Sequence, residues 1–299
     1  IAVNHLAGHI YANWLPVIAS EAKQSHGDSE RLPRRLAAPR NDGSIEFPIL
    51  CLIVSGGHTE LVLMKKHLDF KIIGSTRDDA AGEAFDKVAK MLGLPYPGGP
   101  AIAQQAAKYQ ITKPKSQTNT KLQDPKFPRP MLNSSDFDFS FSGLKTSVLY
   151  YLKNLNVQNY MRPHVILSER RIQEICYEFQ EAVVDVLVSK TIRAAKQYKV
   201  KTVLLGGGVA ANARLRQQLV EAIKRQLPTT SYILPFLEYT GDNAAMIAAA
   251  GYFMAQKKQF TPTPKYGRRR PLVWGFTPWE KLDVDPNWEL GQKLQTMMR

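Results

Sequence analysis

The sequence has little of what marks the non-globular classes of protein. Only two of its 299 residues are cysteines, Cys51 and Cys176. They lie far apart in apolar stretches, which excludes a disulfide scaffold and predicts a reducing, cytoplasmic location. No apolar run approaches the ~20 residues that a membrane span needs, and the first residues show no signal-peptide pattern. We therefore expect a globular protein without membrane contact.

Acidic residues are also scarce relative to basic ones. The chain has 40 Lys and Arg against 26 Asp and Glu, a formal net charge of +14. Such an excess predicts an anionic partner, with nucleic acid as the first candidate. Two basic stretches, 108–130 and 257–270, could bind phosphates, although basic runs are equally typical of a solvated surface.

The apolar pattern predicts an α/β protein. Short apolar runs predict strands at 49–55, 60–65, 69–75, 201–206 and 231–235. Helical spacing predicts helices over 5–19, 80–94, 146–153, 168–198, 210–227 and 241–256, with Ser168 as an N-cap. Three hairpin-connected strands followed by crossover units are expected. The segment PYPGGP (95–100) reads as a loop, and 108–130 as a long exposed connection.

A polar segment interrupts the pattern between the first helix and the first strand. Residues 20–46 are rich in Arg, Pro, Ser, Gly and Asp and contain almost no large apolar residue. Such a composition cannot bury enough surface to offset its ordering entropy, so we expect an inserted loop over 20–47, without order of its own.

Two histidines are spaced as potential metal ligands. His5 and His9 are four residues apart, so a helix places both imidazoles on one face. Leu6 stands where an HExxH metalloprotease has its glutamate base. From the residues alone, half of a metal site and two ordinary, partly buried histidines both remain open.

Two further segments have both structural and functional interpretations. SGGHTE (55–60) could present backbone N–H groups to a phosphate, or could simply close a tight hairpin. Asp78 and Asp79 suit the positive end of a helix, which explains them without a ligand. Asp86 lies two turns further, where it could bind a ligand hydroxyl or face solvent.

Two helix starts near the end of the chain are also candidates. GGGVAANARLR (206–216) follows a strand, an arrangement that suits an anion or a nucleotide. It fits the relaxed dinucleotide fingerprint, but the acidic partner comes late, and no P-loop Gly-Lys-Ser/Thr follows. In TGDNAAM (240–246), either Thr240 or Asp242 could cap the helix. Alternatively, Asp242 could complete a His₂Asp metal site, although spacing cannot show that the three residues meet.

Together these motifs resemble one family. NHLAGH, IVSGGHTELV, DDAAGEAFDKVAKMLGLPYPGGP, FSFSGLKTSV, GGGVAANARLR and YTGDNAAMIAAAG occur in this order, as in the TsaD/Gcp family, the bacterial tRNA N6-adenosine threonylcarbamoyltransferases. The resemblance covers residues 1–19 and 48–256. It implies an actin/Hsp70-like fold with two ribonuclease-H-like lobes and a nucleotide site between them.

The resemblance also implies a function and a set of site residues. The family transfers the threonylcarbamoyl group from threonylcarbamoyl-adenylate to N6 of adenosine 37 in tRNAs that read codons starting with A. It implies one divalent metal per subunit, Fe²⁺ or Zn²⁺, and partner proteins similar to TsaB and TsaE. The implied metal ligands are His5, His9 and Asp242. The implied substrate contacts are Ile53, Val54, Ser55, Gly56, Gly57, Asp86, Gly99 and Asn212. No catalytic residue is assigned beyond the metal site.

The sequence also departs from the family pattern. The family's opening segments, an ILGIETSCDET-like strand and a TxGPGL-like stretch, have no counterpart here. We therefore expect residues 1–19 to be the remnant of a largely missing first lobe, 48–256 to be a complete second lobe, and 257–299 to be a basic C-terminal extension. Such a truncated chain is expected to be inactive or to need a companion fragment. The alternatives are an inactive actin-like nucleotide-binding remnant and, less favoured because of Leu6, a metal-dependent glycoprotease.

Overall fold

A five-stranded mixed sheet organises the chain. The structure, a computed structural model, describes residues 3–15, 45–112, 125–155, 167–257 and Leu290. Within them the strand order is β3-β2-β1-β4-β5. The strands are β1 (Ile49–Val54), β2 (Thr59–Met64), β3 (Phe70–Ser75), β4 (Thr202–Gly206) and β5 (Ser231–Ile233). This confirms the predicted α/β class, and the mixed sheet is consistent with an actin-like fold.

The pairing of the strands brings the ends of β1 and β4 together. β1, β2 and β3 form the predicted antiparallel meander, and the pairing of Val54 with Thr59 leaves a four-residue loop, 55–58. β4 lies parallel to β1 and to β5, with Gly206 opposite Ile53. The carboxyl ends of β1 and β4 therefore lie side by side, the edge at which open α/β sheets usually bind their ligands.

The helices lie on both faces of this sheet. They are α1 (His5–Tyr11), α2 (Ala81–Met91), α3 (Gly98–Thr112), α4 (Ser142–Asn154), α5 (Glu169–Gln197), α6 (Ala213–Gln226) and α7 (Ala244–Gln256). The Ser168 hydroxyl oxygen accepts from the N–H of Arg171, which confirms the predicted N-cap of α5. The first helix is shorter than predicted, since a 3₁₀ turn, Ala12–Trp14, follows α1.

The helix α3 corrects the prediction of a loop over 95–100 and an exposed connection from 108. Its first N–H, that of Gly98, donates to the Asp86 carboxylate at 2.7 Å. Pro100 falls in the first turn, where a missing N–H costs no helical hydrogen bond. One face is then buried at helical spacing by Ile102, Ala106 and Tyr109. The Gly-Gly-Pro sequence therefore begins a helix in this protein.

Alternation along the strands divides the core into two clusters. In the larger cluster, Leu50, Leu52 and Val54 of β1 pack against α2 to α6. In the smaller cluster, Ile49, Cys51 and Ile53 pack against α1 and α7, and Leu290 also belongs to it. The protein thus has three layers, and α1 and α7 share one face of the sheet. Both cysteines are buried and free, and burial raises the pKa of the Cys176 thiol to about 12.

Several predicted segments lie outside the described residues. They are 16–19 of the first predicted helix, 20–44 of the predicted insertion, 113–124 of the basic connection, and most of the C-terminal extension. Among the described helices, none is both long and apolar enough to cross a membrane.

Candidate metal centre and glycine-rich edge

Two histidines and one aspartate converge where α1 meets the start of α7. His5 Nε2 lies 3.3 Å and His9 Nε2 lies 3.2 Å from the same atom, Asp242 Oδ1. The three donor atoms all lie within 4.8 Å of one another. Close packing of the two helices makes this possible, because a Cβ on Gly8 would come within 2.9 Å of Ile247 Cδ1. The structure therefore brings together the three residues that the sequence singled out as ligands.

The donor set suits a divalent transition metal. Two imidazole nitrogens and one carboxylate oxygen are ligands of Zn²⁺ and Fe²⁺ sites that keep an open position. Ligands at about 2.0–2.1 Å from a tetrahedral ion lie about 3.3 Å apart, close to the distances found here. The His9 side chain is only 2 % exposed, whereas those of His5 and Asp242 are 51 % and 74 % exposed. The side bearing His5 and Asp242 thus faces solvent and is accessible to a substrate.

Burial favours the form of His9 that binds metals. Desolvation lowers the pKa of His9 below its usual value, repulsion from His5 lowers it further, and Asp242 acts in the opposite direction. A histidine must be neutral to ligate, so its environment favours coordination. Nδ1 of His9 is buried and has no hydrogen-bond partner among the described residues.

The turn before α7 frees Asp242 for this role. The predicted N-cap, Thr240 or Asp242, is wrong, because the Asn243 side chain accepts from the N–H of Met246 at 2.9 Å. Thr240 donates its hydroxyl to the carbonyl of Leu237 and closes a 3₁₀ turn. Asp242 is consequently not used as a cap, and its Oδ1 lies beside the two histidines.

The loop 55–58 is a tight turn whose glycines are open. Ser55 and His58 bond each other twice, through the Ser55 N–H to the His58 carbonyl and the His58 N–H to Ser55 Oγ. Gly56 and Gly57 are exposed, and a Cβ on either would meet nothing within 4 Å. The hairpin interpretation is therefore correct, and the same turn leaves room at its tip for a ligand.

The GGG segment after β4 has less room. A Cβ on Gly206 would lie 3.0 Å from the carbonyl oxygen of His9, and one on Gly207 would lie 2.8 Å from the carbonyl carbon of Val54. Gly207 also has φ 87° and ψ 166°, a conformation almost restricted to glycine. Only Gly208 is open. Two of these glycines therefore let backbones approach each other, and one leaves space.

The other predicted substrate contacts differ in their surroundings. Ile53 and Val54 are fully buried, so only their backbone could meet a ligand. A Cβ on Gly99 would have open space. Asp86 accepts a hydrogen bond from the Gly98 N–H through Oδ1, and its contact with a ligand stays a prediction. Asn212 caps α6 through the Leu215 N–H and donates to Gln180.

The acids before α2 do not cap that helix, contrary to the prediction. Asp78 accepts from the hydroxyls of Ser140 and Ser142 and from two backbone N–H groups at the start of α4. Asp79 pairs with Lys87 and Lys145. The first N–H of α2 donates instead to the Thr59 hydroxyl, because the meander brings that residue below the helix.

Sequence reasoning missed one residue of this edge, His58. Burial and then repulsion from His5 lower the pKa of His58, so the two imidazoles lie close enough to repel each other when protonated. The available signal was the position of a third histidine in a loop that already held the glycines.

Comparisons with known proteins agree on one family. The family model described as TsaD, tRNA N6-adenosine threonylcarbamoyltransferase, matches residues 35–249. A protein of Listeria monocytogenes serotype 4b (strain CLIP80459) with the same description is 48% identical over 84% of this chain. Proteins so named from Enterococcus faecalis and Geobacillus kaustophilus are each 44% identical, over 87% and 86% of this chain. The chain spans about 60% of the length of these relatives.

Proposed function

Because the chain belongs to the TsaD family, we propose that it transfers a threonylcarbamoyl group to tRNA. The donor is threonylcarbamoyl-adenylate, and the acceptor is N6 of adenosine 37 in tRNAs that read codons starting with A. The observation that carries the proposal is the meeting of His5, His9 and Asp242 beside the glycines at the edge of the sheet. The net charge of +14 favours a tRNA substrate.

In this proposal His5, His9 and Asp242 hold one divalent metal, Fe²⁺ or Zn²⁺. When bound, such an ion supplies a Lewis acid for an anionic or carbonyl oxygen. The exposed His5 and Asp242 side chains give a substrate access, while the buried His9 fixes the site to the core. One buried ligand and two exposed ligands suit a metal centre that must be rigid on one side and open to a substrate on the other.

The glycine-rich edge holds the adenylate in this proposal. Gly56 and Gly57 present their backbone to a phosphate without steric hindrance, and Ser55 fixes the shape of their turn. Gly99 has the same open space. Asp86, which accepts from the adjacent Gly98 N–H, and Asn212, at the start of α6, are the proposed polar contacts of the substrate. The residues thereby orient an already activated carbonyl, which suits a reaction that depends on positioning.

The transfer itself is an acyl substitution. The lone pair of N6 forms the new C–N bond, the C–O bond to the phosphate breaks, and AMP departs with its electron pair while N6 loses a proton. Backbone N–H groups that hold the phosphate stabilise the charge that develops on the leaving group.

At the level of the fold, we propose that residues 48–256 form one ribonuclease-H-like unit of the actin/Hsp70-like superfamily. The antiparallel meander followed by two parallel strands supports this assignment. We propose that proteins similar to TsaB and TsaE act with this chain, as the family resemblance implies.

An activity assay tests the proposed function. Purified chain, TsaB-like and TsaE-like partners, unmodified tRNA and threonylcarbamoyl-adenylate are combined, and threonylcarbamoyladenosine is measured by mass spectrometry of digested tRNA. We expect product from the wild type once the companion fragment that this chain is expected to need is added, and in that mixture a loss of at least about 100-fold, or about 2.7 kcal/mol, for Asp242→Ala. An Asp69→Ala variant, which changes a half-buried aspartate on the β2–β3 turn, serves as a matched control. Equal product from the wild type and Asp242→Ala would contradict the proposal.

A second candidate is a nucleotide-binding module without transfer chemistry. The observation that favours it is that Asp86 and Asn212 already have partners within the protein. It predicts AMP binding that is unchanged in His9→Ala, together with no modified tRNA from any variant. Calorimetric titration with AMP, alongside the assay above, separates the two functions.

A further inference from the structure

A buried amide ties the first helix to the sheet. Asn13 is 1 % exposed and lies in the 3₁₀ turn that follows α1. Its Nδ2 donates to the carbonyl of Ile10 at 3.1 Å and to that of Leu205, in β4, at 3.0 Å. The first bond satisfies a carbonyl at the end of α1, and the second joins that helix end to a strand 192 residues away in the sequence.

The hydrogen bond between Asn13 and Leu205 lies near His9. Gly206 directly follows Leu205, and a Cβ there would stand 3.0 Å from the carbonyl oxygen of His9. Two consecutive residues at the end of β4 therefore meet this end of the helix. Leu205 accepts a hydrogen bond from Asn13 in the 3₁₀ turn, and Gly206 lies in close contact with the last turn of α1. α1 has only seven residues, so its position depends on such tertiary contacts more than on its own helical stability.

Apolar packing alone would hold α1 less specifically. Leu6, Ile10 and Trp14 bury the helix against β1 and α7, but apolar contacts are non-directional and tolerate small shifts along the helix axis. A metal site tolerates only about 0.2 Å in its ligand distances. A directional hydrogen bond from Asn13 to the sheet can supply the accuracy that the packing lacks.

We propose that Asn13 is a positioning residue that holds His9 Nε2 at its place beside His5 and Asp242. The inference rests on the proposed metal site and extends it to a residue outside the ligand set. Supporting residues around metal ligands typically change metal affinity by about 10–100-fold when they are lost. The same range is expected for Asn13.

The test is Co²⁺ binding by the full chain, followed by visible absorption at 25 °C. Co²⁺ reports affinity and, through its absorption bands, the geometry of the ligands. Asn13→Leu keeps the branched shape of the side chain and loses the donor. Ile10→Val changes a fully buried residue of the same helix and is the matched control, because it weakens side-chain packing and keeps the backbone carbonyl to which Asn13 donates. His9→Ala shows the loss of a ligand.

We expect both Asn13→Leu and Ile10→Val to lower Tm. Only Asn13→Leu should weaken Co²⁺ binding, by about 10–100-fold, and change the absorption spectrum. Ile10→Val should stay within about twofold of the wild type. If Asn13→Leu does not fold, Asn13→Ser takes its place.

The failure of the proposed metal site and the failure of the proposed role of Asn13 give different results. If the wild type binds no Co²⁺, or His9→Ala binds it as well as the wild type does, the proposed metal site is wrong. If His9→Ala loses binding while Asn13→Leu matches the wild type in affinity and spectrum, the metal site stands and Asn13 has no positioning role.

Discussion

The two glycine-rich loops at the carboxyl edge of the sheet look alike in sequence and differ in the space around them. In SGGHT, after β1, both glycines are open. In GGG, after β4, Gly206 lies against His9 and Gly207 against Val54, and only Gly208 is open. Glycine therefore occurs in two different settings at one edge: it leaves open space in the first loop and allows close backbone approach in the second.

The same contrast recurs between two neighbours at the start of α3. A Cβ on Gly98 would lie 2.7 Å from Asp86 Cα and from Ala89 Cβ, whereas one on Gly99 would meet nothing within 4 Å. All three glycines that the sequence assigned to the substrate, Gly56, Gly57 and Gly99, are open. The contrast predicts that alanine at a packed glycine lowers stability, whereas alanine at an open glycine does not.

The largest effect is expected at Gly207. Alanine there would combine an unfavourable backbone conformation with a contact against Val54, so Gly207→Ala should cost about 3 kcal/mol in the free energy of unfolding. Urea denaturation measures this cost. Gly208→Ala is the control and should stay within about 0.5 kcal/mol of the wild type. Equal stabilities of the two variants would show that the packing around Gly207 is not as described.

The difference in stability between Gly98→Ala and Gly99→Ala should be smaller. The first pushes a methyl group against α2 and should cost about 2 kcal/mol. The second replaces an open glycine within a helix and should stabilise the protein by up to about 1 kcal/mol. Thermal unfolding of the adjacent variants gives the sign directly. A loss of stability in Gly99→Ala as large as that in Gly98→Ala would contradict the contrast.

Gly206→Ala should affect both stability and the metal. The methyl group would press on the carbonyl of His9, at a cost of about 1 kcal/mol in unfolding free energy. Because α1 must move to relieve the contact, Co²⁺ affinity should fall by about tenfold. Isothermal titration measures the affinity, with Gly208→Ala as the neighbouring control. A variant that loses stability but keeps full affinity would show that His9 does not move with its helix.

The smallest change in stability is expected at Gly56. The site is exposed and open, so Gly56→Ala should change the free energy of unfolding by less than about 0.5 kcal/mol. Its methyl group would occupy the proposed phosphate position and should weaken AMP binding by about tenfold, or about 1.4 kcal/mol. Calorimetry with AMP tests this. Unchanged AMP binding would show that the phosphate does not lie at this turn.

The sequence predicted the sheet well because its strands are short apolar runs bounded by glycine and charge. Helical spacing paired His5 with His9, and the motif TGDNAAM offered Asp242 as a third ligand; the structure brings the three side chains together, and their binding of a metal stays a prediction. The prediction failed at α3, where Pro100 and two glycines suggested a loop. The helix start there depends on Asp86, a contact between residues 12 apart that no local pattern reports.

Other contacts depend on the tertiary fold and could not be read from the sequence. Asp78 follows β3 and precedes α2, but its hydrogen bonds to the start of α4 depend on the loop 136–142 folding back onto it. Asn13 bonds a strand far away in the sequence, and Gly206 and Gly207 differ from Gly56 only in their neighbours. Residue types showed where glycine and amide groups occur, and the packing determined what each of them does.

The metal centre can be tested most directly by anomalous scattering. Crystals grown with Zn²⁺ would be measured on both sides of the zinc absorption edge. We expect one anomalous peak at about 2.0–2.2 Å from His5 Nε2, His9 Nε2 and an oxygen of Asp242. The proposed metal centre would be contradicted if crystals grown at saturating Zn²⁺ showed no peak at these three side chains and had the histidines hydrogen-bonded directly to Asp242.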